Sequence, residues 1–269
     1  MSRQLTKHVR SINKGGWANF AALAGLFLCG CSSELLEEVS EQSYPADPQI
    51  EITVQNTDGT IQLYGSEKPQ VRLQTIRKAY TSARLRAIST KVNAENGNMT
   101  IDTQMPAPRR WTLADRSGTV DYIIVVPKAA KSCHVRLRNG EILVAGMENS
   151  DVHITLENGR IFVRNCFSNV QASSGTGAIA LIYDWWQRRK FSADLEMADG
   201  NLFAVIPSDA TFHVHAEAPK GKIGNDFAEK EERTGATITK IDNVIGDAPE
   251  AAITLRAQDG NIKIVEANP

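Results

Sequence analysis

From residue 49 onward the chain repeats one short pattern. Apolar and polar positions alternate, a glycine follows, usually behind Asn or Asp, and an apolar residue stands two places beyond the glycine. The instances are Asp58-Gly59-Thr60-Ile61, Asn96-Gly97-Asn98-Met99, Asn139-Gly140-Glu141-Ile142, Asn158-Gly159-Arg160-Ile161, Gly177-Ala178-Ile179, Asp199-Gly200-Asn201-Leu202, Gly221-Lys222-Ile223 and Asp259-Gly260-Asn261-Ile262. From Gly140 to Gly221 the steps are 19, 18, 23 and 21 residues, and the other gaps are about twice as long. Such a period marks a repeat architecture, and the long gaps are expected to hold two turns each. Glycine fits a corner that needs positive φ, and Asn or Asp before it tolerates the same region.

Counting back seven, five and three residues from each glycine gives Cys133, Val135, Leu137; Val152, Ile154, Leu156; Val170, Ala172, Ser174; and Ala193, Leu195, Met197. Each set is mostly apolar with polar residues between, so each segment is a strand with one face inward. No long stretch has helical period; only Phe227 to Arg233 suggests a single helical turn. The pattern predicts an all-β fold, a parallel β-helix or β-solenoid in which successive coils stack about 4.8 Å apart. An antiparallel sandwich is the competing architecture, since it too spaces strands regularly.

The first 30 residues read differently. Arg3, Lys7, Arg10 and Lys14 precede an apolar run from Trp17 to Leu28, with no acidic residue. This is the form of a secretory signal, and the run is too short to span a bilayer core that needs about 20 residues. It ends in Leu28-Cys29-Gly30-Cys31, which resembles the bacterial lipobox: an apolar residue, any residue, a small residue, then the lipidated cysteine. The resemblance implies cleavage before Cys31, three acyl chains on that residue and a membrane partner through the anchor. Ser32, where enterobacterial lipoproteins retained in the inner membrane carry Asp, implies outer-membrane placement. Cleavage by the general signal peptidase, giving a soluble periplasmic product, is the alternative. Residues 31–48, polar and acidic with Pro45 and Pro48, are expected to be a tether, leaving 49–269 as the domain.

Removing the signal leaves 26 basic and 31 acidic residues, a formal charge of -5, which argues against a nucleic-acid partner. The run Val120-Asp121-Tyr122-Ile123-Ile124-Val125-Val126-Pro127, the Asn-Gly-x-Ile repeats and the closing Asp-Gly-Asn-Ile together resemble the bacterial "putative adhesin" family of unknown function, over about residues 50 to 266. That resemblance implies a repetitive β-solenoid of the cell envelope with no catalytic residues assigned.

Nothing in the chain reads as a P-loop, a zincin helix or a nucleophile elbow. Gly175-Thr176-Gly177-Ala178-Ile179-Ala180 has dinucleotide-loop spacing but falls at a repeat corner, without a following helix to hold an anion. No cofactor and no enzymatic activity are expected. A carbohydrate-active β-helix would need carboxylates converging in a groove, and a polymer-forming envelope protein would need uncapped ends; both stay as alternatives.

Six residues before the glycines runs an outward column of His134, His153, Gln171, Asp194 and His215. His134 and His153 should be neighbours, yet two exposed imidazoles without supporting partners are expected to be solvated strand residues rather than a metal site. Cys133 aligns inward and Cys166 lies near another corner, so a disulfide between them is not expected. The lengthened step from Gly177 to Gly200 contains Trp185-Trp186-Gln187-Arg188-Arg189-Lys190. Trp185, Trp186, Arg188 and Arg189 are the candidate binding residues, for an envelope glycan, a lipid headgroup or a protein. Both tryptophans covering the side of the solenoid is the structural alternative.

Overall fold

The computed structural model describes residues 34–95, 97–106, 118–228 and 238–267. Residues 1–30, expected to be a signal, with Cys31 and most of the 227–233 segment, lie outside these residues. In chain order the elements are β1 (Leu36–Pro45), β2 (Glu51–Ser66), β3 (Gln70–Ala79), α1 (Ser82–Ala87), β4 (Ser89–Glu95), β5 (Asn98–Gln104), β6 (Thr119–Pro127), β7 (Ser132–Ala145), β8 (Glu148–Arg164), β9 (Phe167–Ile182), β10 (Phe191–Pro207), β11 (Phe212–Glu217), β12 (Ile223–Asn225), β13 (Lys240–Ile245), β14 (Ala251–Asp259) and β15 (Ile262–Ala267). All the strands join one 15-stranded sheet.

Strands β2, β7, β8, β9 and β10 stack in parallel with their glycines in register. Parallel pairing excludes the antiparallel sandwich. Each is long and bent in the middle. In β7 the buried residues are Cys133, Val135 and Leu137, then Ile142 and Val144. The step from Leu137 to Ile142 is odd, so alternation changes phase at the Asn139-Gly140 corner and both halves of the bent strand face one interior. Only two residues separate Ala145 from Glu148, where the next parallel strand begins. Two residues reach about 10 Å at most, so the end of β7 has returned beside its start and the coil is closed; the same spacing joins β8 to β9. The result is a solenoid of two-sided coils. Columns such as Ile61, Ile142, Ile161, Ile179, Leu202 and Ile262 run through it fully buried. Each such side chain contributes roughly 2 kcal/mol of transfer free energy.

The corner glycines are fixed for two reasons. Gly159 has φ +136°, and a Cβ there would stand 1.8 Å from the carbonyl oxygen of Gly140 in the coil below. The residue before the glycine adds a hydrogen-bonded ladder. Asn139 Nδ2 donates to Asp58 Oδ1 (2.8 Å), Asn158 Nδ2 to Asn139 Oδ1 (3.0 Å), and Thr176 Oγ1 to Asn158 Oδ1 (2.7 Å). Gly177, and with it the dinucleotide-like spacing, belongs to this ladder. At its lower end Asp121 replaces a coil corner: its Oδ1 accepts the Thr60 N–H at 2.9 Å and its Oδ2 takes the Lys78 ammonium at 2.8 Å.

The ends depart from the repeat. Gly97 is not on the ladder; it turns the antiparallel β4–β5 pair, at φ +76° with open space around it. The long gaps therefore hold closing strands rather than pairs of corners. β5 and β6 pair with the two halves of β2, so this coil lies beneath β2 although it follows in sequence. At the other end β14 and β15 lie between β10 and the β11–β12 coil. Antiparallel strands close both ends, β3 and β1 below β6 and β13 beside β11.

Residues 36–45, expected to be part of a tether, are a strand instead. β1 pairs with β3 along its whole length, from Leu36 opposite Ala79 to Pro45 opposite Gln70. Its alternation is weak because it is an edge strand whose inward positions include Glu38, ion-paired to Arg77 at 2.8 Å. Helix α1 was also absent from the periodicity: it is one short turn-and-a-half, held by the Thr81 side chain, which accepts the Arg84 N–H at 3.2 Å.

Candidate functional site

Two surfaces carry the candidate side chains, the outward face of the first strand halves and the enlarged corner between β9 and β10. On the strand face His134 pairs with His153 in register, and the rings stack in parallel with centroids 4.7 Å apart. The column continues through Gln171 and Asp194, but Thr254 of β14 separates Asp194 from His215. The linear alignment placed those two together because it could not show the inserted coil. His215 instead meets Asp242 of the closing strand β13, with Nδ1 3.5 Å from the carboxylate, and His213 Nε2 meets the same carboxylate at 2.6 Å. Among the described residues no group of three or more His, Cys, Asp or Glu side chains is placed to hold a metal ion.

A shallow depression of about 470 Å³ crosses this face, lined by Ser173, Ser174, Gly175, Glu196 and Arg256. The hollow forms because β9 offers only small side chains there. Asp194 and Glu196 both bind the Arg256 guanidinium, at 3.1 and 3.0 Å. Glu196 on the wall of the depression and Asp194 on the same strand thus share one cation.

The corner is built on an aromatic base. Phe167, Phe191 and Phe212 open β9, β10 and β11, and Tyr183 ends the coil before the loop. Tyr183 is buried, its hydroxyl donating to the Cys166 carbonyl at 3.0 Å. Trp186 folds back onto this base. Its ring lies 5.3 Å from Tyr183, 5.4 Å from Phe191 and 5.7 Å from Phe212. In the strand register Ala251 lies between Phe191 and Phe212, so Trp186 bridges the gap left by the smaller side chain.

Both shoulders of the loop are pinned. At its start Asp184 receives Arg164 in a two-pronged pair at 2.7 and 3.1 Å, and Asn165 Nδ2 at 2.6 Å. The Arg164 guanidinium holds the Asp184 carboxyl below its ordinary value. At its end Arg189 pairs with Glu148 at 3.5 Å and donates to Asn149.

The four candidate binding residues therefore separate. Trp186 and Arg189 hold the corner together. Trp185, 51% exposed, leans on Phe167 with ring centroids 6.3 Å apart, and Arg188 is exposed beside it. A pinned loop presents an indole face and a guanidinium to solvent with little freedom left to lose on binding. Such a pair can stack on the apolar face of a sugar or an aromatic ring and hydrogen-bond to an acceptor beside it. Sequence reading missed Asp184, Arg164 and Asn165 as the residues that position the loop; Arg164 and Asn165 stand 20 and 19 residues before Asp184, one coil, which is the available signal.

Cys133 and Cys166 are free thiols, both buried. Burial pushes the Cys133 thiol up to about 12 and that of Cys166 up to about 11, so neither offers a thiolate near neutral pH. Among the described residues no helix is long and apolar enough to cross a membrane.

A β-solenoid of two-sided coils, closed at both ends by antiparallel strands, is the class of protein defined by this geometry. Residues 36–265 match the Toastrack DUF4097 family, and the chain belongs to that family. No curated protein matches it significantly. Among solved structures it is similar to a "putative cell adhesion protein" of Clostridium sporogenes, with 13% identity over 85% of this chain and 100% of the other, at a TM-score of 0.51. It also matches a "putative adhesin" of Bacteroides fragilis, with 12% identity over 84% and 97% of the two chains and a TM-score of 0.30. A "putative lipid binding protein" of Parabacteroides distasonis matches at 10% identity over 86% and 95%, with a TM-score of 0.33. The first of these shares the fold.

Proposed function

We propose that this chain is a cell-envelope lipoprotein, held by acyl chains on Cys31 and facing a glycan or protein of the envelope with its 184–190 corner. Its solenoid is a binding or scaffold module and not an enzyme. The observation that carries the reading is the split at the corner: Trp186 is packed into the base while Trp185 and Arg188 stay exposed on a loop pinned at both shoulders. The adhesion name of the similar Clostridium protein supports the same class of role. The strand-face carboxylates Asp194 and Glu196 lean against a hydrolase, because both are engaged by Arg256. The closed ends lean against end-to-end polymers, since antiparallel strands stand where the next coil would dock.

The test is attachment of the acylated protein to isolated envelope glycans and envelope proteins, comparing wild type with Trp185→Ala and Arg188→Ala. Loss of attachment in these variants, with folding unchanged, supports the corner. Attachment unaltered by both removes it. Intact mass of wild type and Cys31→Ala tests the anchor, with acyl increments expected only in the former.

A further inference from the structure

A second exposed apolar surface lies at the first end of the stack. Leu35 is 50% exposed and Tyr80 51%, two of the five large hydrophobic side chains that stand exposed among the described residues. Leu36 pairs with Ala79 in antiparallel register, so continuing that register by one residue sets Leu35 opposite Tyr80. Ala79 is buried, and alternation turns Leu35 and Tyr80 to the other face. Helix α1 begins two residues after Tyr80, packs against β1 and β3, and carries the exposed Arg86.

The position of this pair along the chain gives it an occupant. Four Cα steps separate Cys31 from Leu35, which span about 14 Å at full extension. A lipid on Cys31 therefore keeps Leu35 and Tyr80 at the bilayer surface. An apolar side chain beside a ring with a polar tip is the composition that settles at the boundary between headgroups and acyl chains. Charge does not select the lipid here, because Glu34 and Glu37 are exposed on the same stretch as Arg86.

We propose that the Leu35–Tyr80 pair seats in the headgroup region of the membrane that holds the anchor, so that the solenoid stands on its first edge with β13 outermost. This rests on the lipoprotein reading above. With eleven strands on the path from β1 to β13, the far edge lies about 48 Å from the near one at about 4.8 Å per strand. The lipid supplies the affinity and the pair supplies the orientation, so a chain without acyl groups does not bind vesicles through these two side chains alone.

The test uses the full-length acylated protein in phosphatidylcholine vesicles containing headgroup spin-labelled lipid. A thiol-reactive fluorophore is placed at Ser82→Cys, beside the pair, or at Val244→Cys on β13; the buried Cys133 and Cys166 stay unlabelled. Quenching at position 82 is expected to exceed that at 244 several-fold, and to be unaltered when part of the lipid is phosphatidylglycerol. Leu35→Ser with Tyr80→Ser should remove most of the excess while circular dichroism and acylation are retained. Equal quenching at 82 and 244 in a chain whose intact mass shows the acyl groups, or an excess untouched by the double serine variant, overturns the seating alone. A mass without acyl groups overturns the lipoprotein reading and the seating with it. Quenching that appears only with phosphatidylglycerol replaces it with an electrostatic contact.

Discussion

The coils from β7 to β10 and the strands that close the two ends are held together differently. In the coils, nearly every residue sits above its counterpart one repeat earlier, so glycine meets glycine, Asn158 meets Asn139 and most columns are apolar throughout. At the ends no counterpart exists, and single residues substitute for the repeat: Asp121 for a corner at one end, and Asp242 between two histidines at the other. Regular stacking tolerates no added bulk along its ladder, whereas the ends are joined by polar contacts near solvent and depend on their charge state.

The sharpest way to break this contrast is at glycine. Gly159→Val is expected to cost well over 3 kcal/mol and to abolish cooperative folding, since its Cβ would collide with the Gly140 carbonyl 1.8 Å away. Gly97→Ala, in the end hairpin with nothing within 4 Å, should cost only about 1 kcal/mol. Urea unfolding of both variants makes the comparison, and similar losses would show that the ladder has no special tightness. The next largest effect is at the corner. Trp186→Ala should lose about 3 kcal/mol, and Trp185→Ala, exposed on the same loop, less than about 0.5 kcal/mol; equal losses would mean that both rings are structural.

The smallest effect is at the far end. His213, first, and then His215 hold the Asp242 carboxyl below its ordinary value. A depressed carboxyl stabilises the folded state above its unfolded pKa, and that contribution is lost as pH falls through the folded value. Acidification below about pH 4, the ordinary carboxylate range, should therefore loosen β13 before the coils. Amide hydrogen exchange across 240–245 reports this directly. Asp242→Asn should flatten the pH response, and exchange there that is independent of pH in the wild type would remove the clamp.

The same contrast explains what could be read from the chain. The coil interior was legible because repetition fixes register: Cys133, Val152 and Val170 fall in one buried column as the spacing predicts, and His134 lies on His153. Legibility failed where the chain leaves its order. Linear spacing joins Asp194 to His215, but Thr254, 60 residues later than Asp194, lies between them. Gly97 carries the same Asn-Gly signature as the ladder and yet turns a hairpin, because local turn chemistry is common to both. β1 was hidden by its polar edge face. At the corner, the candidate residues were found by composition, but which of them stay exposed depends on Phe191 and Phe212 from neighbouring coils.

The placement of β14 and β15 between β10 and β11 constrains the order of assembly. A chain delivered from its N-terminus completes β10 before the strands that must cover it exist. Until residues 251–267 arrive, the upper edges of both β10 halves remain open, and the β11–β12 coil has no neighbour on which to stack. The last described segment is thus the latch of the whole upper half. A ribosome that still holds residues 251–267 holds an unfinished sheet edge, and release of those residues is the event that seals it.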